Sequence, residues 1–172
     1  MESGLKGKRA IVTGSNRGIG RCCALALARE GVRICVAART RELLDRTVEE
    51  IHAAGGEGHA VATDLGTPEG STQVVSETVA RFGGIDILVN NVGAARGGDI
   101  LELPTEQIDE ALSLKTYSYL RMAQLVIPYM QENQWGRIVN IAGGAGSSPD
   151  RQNIPVSLAN VAILNMTRAL SD

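Results

Sequence analysis

Thr13-Gly14-Ser15-Asn16-Arg17-Gly18-Ile19-Gly20 places three glycines and an arginine where an apolar run gives way to helical periodicity. The glycines permit a tight turn and close approach of backbone to ligand, and the helix beyond offers unpaired N–H groups and a positive dipole end. Such a loop seats an anion, most simply a pyrophosphate. A glycine-rich loop alone is weak evidence, and its weight depends on a strand before it, a helix after it and partners further along. Gly14, Asn16, Arg17, Gly18, Ile19 and Gly20 are therefore the first candidate binding residues.

The elements around the loop meet that condition. Arg9 to Thr13 reads as a short buried parallel strand, and Ile19 to Arg29 carries apolar residues at helical spacing up to Gly31. Val32 to Ala38 is a second strand, and Thr40 is placed to cap a helix running to Ala54. After Gly55-Gly56, His59 to Ala62 predicts a third strand with Asp64-Leu65 at its carboxyl end. Thr67-Pro68-Glu69 then opens a helix with a cap, a first-turn proline and an acidic first turn, and that helix ends near Gly83-Gly84.

Ile85 to Val89 predicts a fourth strand delivering Asn90-Asn91-Val92-Gly93 at its tip, followed by an Ala94 to Asp99 loop that borders the site. Pro104 to Glu132 reads as one unusually long helix bent at Pro128, Arg137 to Ile141 as a fifth strand, and Pro155 to Leu170 as a final helix after the Ala142 to Ile154 loop. Strands alternating with helices predict an α/β fold, a doubly wound parallel sheet in three αβα layers. The strand order 3-2-1-4-5 brings Thr13 to Gly20 and Asn90 to Gly93 to one crevice, the switch point where open α/β sheets bind ligands.

Composition narrows the function classes. The 172 residues suit one domain, and 44% hydrophobic residues suffice for a real core. A net charge of −2, from 17 basic and 19 acidic residues, leaves no electrostatic footprint for nucleic acid or for an anionic membrane. No apolar run is long enough to span a bilayer and the first residues lack a secretory signal, so the expected location is the cytoplasm. Cys22, Cys23 and Cys35 complete neither a disulfide framework nor a zinc pattern and read as reduced core residues, so no metal is expected.

Taken together, the chain resembles the short-chain dehydrogenase/reductase family over essentially its whole length. Thr13-Gly14-x-x-x-Gly18-Ile19-Gly20 is similar to that family's cofactor loop, Asp64-Leu65 to its adenine-contacting pair, and Asn90-Asn91-Val92-Gly93 to its Asn-Asn-Ala-Gly segment. Gly136 to Ile141 matches its fifth strand. The resemblance implies a single dinucleotide-binding Rossmann domain over residues 1–172, a nicotinamide dinucleotide as partner, and hydride transfer between a carbonyl and an alcohol. Gly14, Asn16, Arg17, Gly18, Ile19, Gly20, Arg39, Asp64, Leu65, Asn90 and Gly93 are the implied cofactor-binding residues. The long helix and the final helix resemble the elements that pair subunits in the family, which implies a homodimer or homotetramer.

Cofactor choice rests on the end of the second strand, where an acidic residue would favour NAD(H). That place holds Ala38, followed by Arg39, and Arg39 with Arg17 can pair with a 2′-phosphate, so NADP(H) is favoured over NAD(H). The catalytic set departs from the family. Its Asn, Ser, Tyr and Lys positions hold Lys115, Gly143, Val156 and Asn160. Lys115, Tyr119, Ser147, Ser148, Asp150 and Ser157 are the nearby groups that could substitute, each also readable as ordinary packing, a cap or a solvated charge. The alternative to an oxidoreductase is therefore a catalytically silent dinucleotide-binding or oligomer-interaction protein. Family members also continue past the final helix, so the chain is either naturally short or part of a longer one.

Overall fold

The computed structural model describes residues 3–93 and 97–171. Five strands, β1 (Arg9–Thr13), β2 (Arg33–Ala38), β3 (Glu57–Ala62), β4 (Ile87–Asn90) and β5 (Arg137–Asn140), pair in parallel in the order β3-β2-β1-β4-β5. The helices are α1 (Gly18–Arg29), α2 (Arg41–Ala53), α3 (Pro68–Phe82), α4 (Thr105–Ala111), α5 (Ser118–Glu132) and α6 (Ile154–Ala169). Parallel neighbours need a crossover, and the helices between strands supply it.

Successive strand residues face opposite sides of the sheet, and both sides are covered over β1, β2 and β4, whereas no residue of the edge strand β5 is buried. Ala10, Val12, Ile34 and Val36 pack with Ala24 and Ala28 of α1 and with Leu44 and Ile51 of α2. Ile11, Cys35, Ala37 and Leu88 pack on the other side with Val74 and Val75 of α3 and with Met122 and Val126 of α5. Val12 lies in register between Val36 and Val89 at the centre of the sheet.

Arg9 and Asp86 fasten β1 to the start of β4. The Arg9 guanidinium donates from Nε to Asp86 Oδ2 at 2.8 Å and from Nη2 to Oδ1 at 2.9 Å, while the Arg9 backbone N–H donates to Oδ2 at 2.9 Å. Burial pushes the Asp86 carboxyl up, but the hydrogen bonds and charge of Arg9 outweigh it, so its pKa lies below the ordinary value.

Local differences from the sequence expectation have physical causes. β3 begins at Glu57, two residues before His59, because Gly56 and Gly58 admit Ile51 and Val48 of α2 against the strand: a Cβ on Gly58 would lie 3.3 Å from both side chains. β4 begins at Ile87, and the preceding Asp86 is engaged with Arg9. The expected single helix over 104–132 is divided: between α4 and α5 the chain runs as a π-helical segment, Leu112–Tyr117, and Pro128 lies inside α5. Thr67 caps α3, its side chain accepting from Gly70 N at 3.1 Å, whereas Thr40 occupies the cap position of α2 without a side-chain bond. The expected loop over 94–99 lies partly outside the described residues. Among the described residues no helix is long and apolar enough to cross a membrane.

Candidate functional site

A cavity of about 400 Å³ opens at the carboxyl ends of β1 to β4. Gly14, Asn16, Arg17, Gly18 and Ile19 line it from the loop after β1, Ala38 and Arg39 from the end of β2, Asp64 and Leu65 from the end of β3, and Gly93 from the end of β4.

The three glycines of the loop serve different ends. Gly14 (φ 63°) and Gly18 (φ 56°) both hold left-handed backbone conformations. A Cβ on Gly14 would also lie 2.9 Å from Asn91 Nδ2, while one on Gly18 would meet nothing within 4 Å, so Gly18 leaves an open cradle. Gly20 lets α1 pack on the loop itself: a Cβ there would lie 2.4 Å from Gly14 O and 2.5 Å from Asn91 Nδ2. Arg17 occupies the cap position of α1 with no side-chain cap bond, and no acidic residue stands in the first turn. Its first N–H groups and dipole thus face the cavity uncompensated, as an anion requires.

Buried polar bonds hold the loop in shape. Ser15 Oγ donates to Val12 O at 2.7 Å and accepts from Ala37 N at 2.9 Å, and Thr47 Oγ1 donates to Ser15 O at 3.2 Å. Asn91 Nδ2 donates to Thr13 O and Gly14 O, each at 3.1 Å, and Thr13 Oγ1 accepts from Asn91 N at 2.9 Å. Asn91 therefore ties the tip of β4 to the loop after β1 and lines the cavity. Asn90 lies beneath it, wholly buried, donating from Nδ2 to Asn140 Oδ1 at 2.9 Å in β5. Asn90 and Gly20 thus position the wall without lining it.

Asp64 Oδ1 accepts from Gly66 N at 2.9 Å, shaping the turn into α3 while the residue borders the cavity. Leu65 is buried. Leu43, Thr63 and Leu114 also line the cavity without having been singled out in the sequence, as do Thr40, expected there only as a helix cap, and Val92 of the Asn90–Gly93 segment. Leu43 stands in the first turn of α2, Thr63 just past β3 and Leu114 in the π-helical segment.

The positions of the expected catalytic set divide into two groups. Asn160 is buried, its Oδ1 accepting from Gly143 N at 2.6 Å and its Nδ2 donating to Val156 O at 2.7 Å, so Gly143, Val156 and Asn160 form one bonded knot. Lys115 lies elsewhere, in the π-helical segment against Gly93: its Cδ would be 3.1 Å from a Cβ on that glycine. Burial lowers the pKa of the Lys115 ammonium.

Of the other nearby groups, Tyr119, Ser147 and Asp150 are engaged in local structure. The Tyr119 hydroxyl donates to Ile141 O at 3.2 Å, and burial raises its pKa. Ser147 Oγ donates to Gly144 O at 3.1 Å, and Asp150 accepts from Gln152 N at 3.0 Å. Ser148 is exposed, and Ser157 Oγ is buried without a partner. Cys35 is buried, its thiol pushed up to about 12 by burial. Cys22, Cys23 and Cys35 are free thiols, but only Cys35 is a buried core residue as expected: on α1, Cys23 packs half-buried against the core while its neighbour Cys22 is turned out to solvent, and among the described residues no group of His, Cys, Asp or Glu is arranged to hold a metal.

The geometry has close counterparts. The short chain dehydrogenase family profile matches residues 8–172. An uncharacterized oxidoreductase of Mycobacterium tuberculosis is 34% identical over 165 residues, covering 95% of this chain and 63% of its own. The structure of L-sorbose reductase from Gluconobacter frateurii, complexed with NADPH and L-sorbose, superposes with a TM-score of 0.96 at 31% identity, covering 99% of this chain and 65% of that one. NAD+-bound xylitol dehydrogenase superposes with a TM-score of 0.93 at 27% identity, over 98% and 65% of the two chains. The chain thus spans just under two thirds of the length of these relatives. Sheet order, loop and profile agree, and the chain belongs to the short chain dehydrogenase family.

Proposed function

We propose that the cavity binds NADP(H), with the pyrophosphate on the loop and first turn of α1, the adenosine between Arg39 and Asp64-Leu65, and the nicotinamide towards Gly93. The open cradle at Gly18 and the uncapped α1 terminus fit an anion of this kind. One observation carries the choice of dinucleotide: Ala38 and Arg39 line the cavity at the end of β2, where a carboxylate would receive ribose hydroxyls, and Arg17 lines it as well. When bound, the nicotinamide would give or take a hydride, and the family-implied reaction is interconversion of a carbonyl and an alcohol. This chain's residues bind and orient the dinucleotide. Exposed apolar side chains on α5 and α6, among them Leu120, Leu158, Val161 and Leu164, support self-association into a homodimer or homotetramer.

The knot at Asn160 favours a second reading, a dinucleotide-binding protein without turnover. Both polar ends of the Asn160 side chain are spent on Gly143 and Val156, and neither of those residues carries a side-chain proton donor. A positioned general acid contributes about 10²- to 10⁴-fold in rate, so its loss separates the two readings. Titration with NADPH and NADH followed by a screen of carbonyl substrates tests both. Binding without turnover, and without gain from combining Gly143→Ser, Val156→Tyr and Asn160→Lys, selects the silent protein. Failure to bind either nucleotide overturns both readings.

A further inference from the structure

Resting on that cofactor reading, we propose that Lys115 is an anion-holding residue at the Gly93 end of the cavity, engaging an anionic oxygen of the occupant, either a dinucleotide oxygen or the carboxylate of a second ligand. Cγ, Cδ and Cε of Lys115 would lie 3.5, 3.1 and 3.6 Å from a Cβ on Gly93, so the aliphatic stem runs across a glycine that lines the cavity. Its neighbour Leu114 lines the same cavity. Glycine at position 93 thereby makes room for the lysine stem against the cavity wall, where Lys115 itself is not a lining residue.

The ammonium stays open to solvent and is free to meet a ligand. Lys115 is partly withdrawn from water, and among the described residues no carboxylate is within ion-pair distance of it. Desolvation is what perturbs it, with no charge from α4, α5 or α6 contributing. A partly desolvated cation without a counter-ion is unfavourable where an apolar side chain would pack. A bound anion offsets that penalty through a charge-assisted hydrogen bond. The other residues at the expected catalytic positions offer no competing charge: Gly143 and Val156 have no polar side chain, and Asn160 is bonded internally. Lys115 also sits in a π-helical segment, a winding found frequently at functional sites.

Lys6, Lys8 and Lys115 are the lysines of the chain, which makes competitive acetylation with acetic anhydride, read by peptide mass spectrometry, a clean test. The intact protein is labelled alone, with NADPH, with pyruvate, and with both, while calorimetry records nucleotide binding separately. Saturating ligand is expected to slow acetylation of Lys115 by about 10-fold relative to Lys6 in at least one arm, as occupancy above nine tenths requires. Protection by NADPH alone identifies a dinucleotide oxygen, and protection only with pyruvate present identifies a second ligand's carboxylate. NADPH that binds without protection in any arm overturns the role of Lys115 and leaves the cofactor reading standing. If NADPH does not bind, the cofactor reading falls and the pyruvate arm alone decides for or against Lys115. Lys115→Met should weaken binding of the protecting ligand about 10-fold and Lys115→Arg should restore it, which a merely structural lysine would not do.

Discussion

Asn160 and Gly143 close on each other, the Asn160 amide oxygen accepting from the Gly143 backbone N–H at 2.6 Å while the other end of the amide donates to Val156 O at 2.7 Å. One side chain thereby joins the loop after β5 to the first turn of α6. Asn160→Leu would break both bonds, each worth about 0.5–1.5 kcal/mol, and is expected to lower unfolding free energy by about 1–3 kcal/mol in urea denaturation. An unchanged midpoint would show that the knot does not hold the loop.

Gly18 and Gly20 should respond differently to alanine. Gly20→Ala forces a Cβ to 2.4 Å from Gly14 O, so a loss of about 1–3 kcal/mol in thermal or urea stability is expected, with loss of nucleotide binding. Gly18→Ala meets no protein atom within 4 Å but keeps a positive φ, so a smaller stability loss of about 1–2 kcal/mol is expected. Its main effect is an NADPH affinity about 10-fold weaker or more, read by calorimetry.

Arg9 and Asp86 predict a definite acid response. The folded-state pKa of Asp86 is lowered, so the folded protein binds that proton less readily than the unfolded chain does. The stability this gives is complete above the unfolded value of about 3.9 and is lost as pH falls through the lower folded value. Urea midpoints measured from neutral pH down past 4 should therefore fall more steeply for the wild type than for Asp86→Asn. Arg9→Met, which strands the buried carboxylate, should cost about 3 kcal/mol at neutral pH.

Arg39→Asp should reverse nucleotide preference. Removing a charge-assisted partner of the 2′-phosphate and supplying an acceptor for ribose hydroxyls should weaken NADPH about 10- to 100-fold while leaving NADH unchanged or tighter. Parallel titrations of wild type and variant with both nucleotides read this directly.

Much of the fold was legible because its signals are local and repeated. Val12, Val36 and Val89 stand in one register row because each lies in an apolar run of the kind a twice-covered parallel strand needs. The cavity was legible through Gly14, Gly18 and Arg39, whose types answer to backbone conformation and charge. What the sequence concealed depends on contacts between distant segments. Asn90 and Asn91 are adjacent and chemically identical, yet one turns under the sheet to Asn140 and the other up to Thr13 and Gly14. Nor does helical periodicity reveal a π-helical segment at Leu112–Tyr117, since the same apolar residues satisfy both windings.

The central claim is that Arg17 and Arg39 make this cavity a site for the phosphorylated dinucleotide. Calorimetric titration of the wild-type chain with NADPH and NADH at one ionic strength tests it most directly. NADPH is expected to bind at least about 10-fold tighter than NADH, the worth of one charge-assisted partner. Equal affinities, tighter NADH, or binding of neither would contradict it.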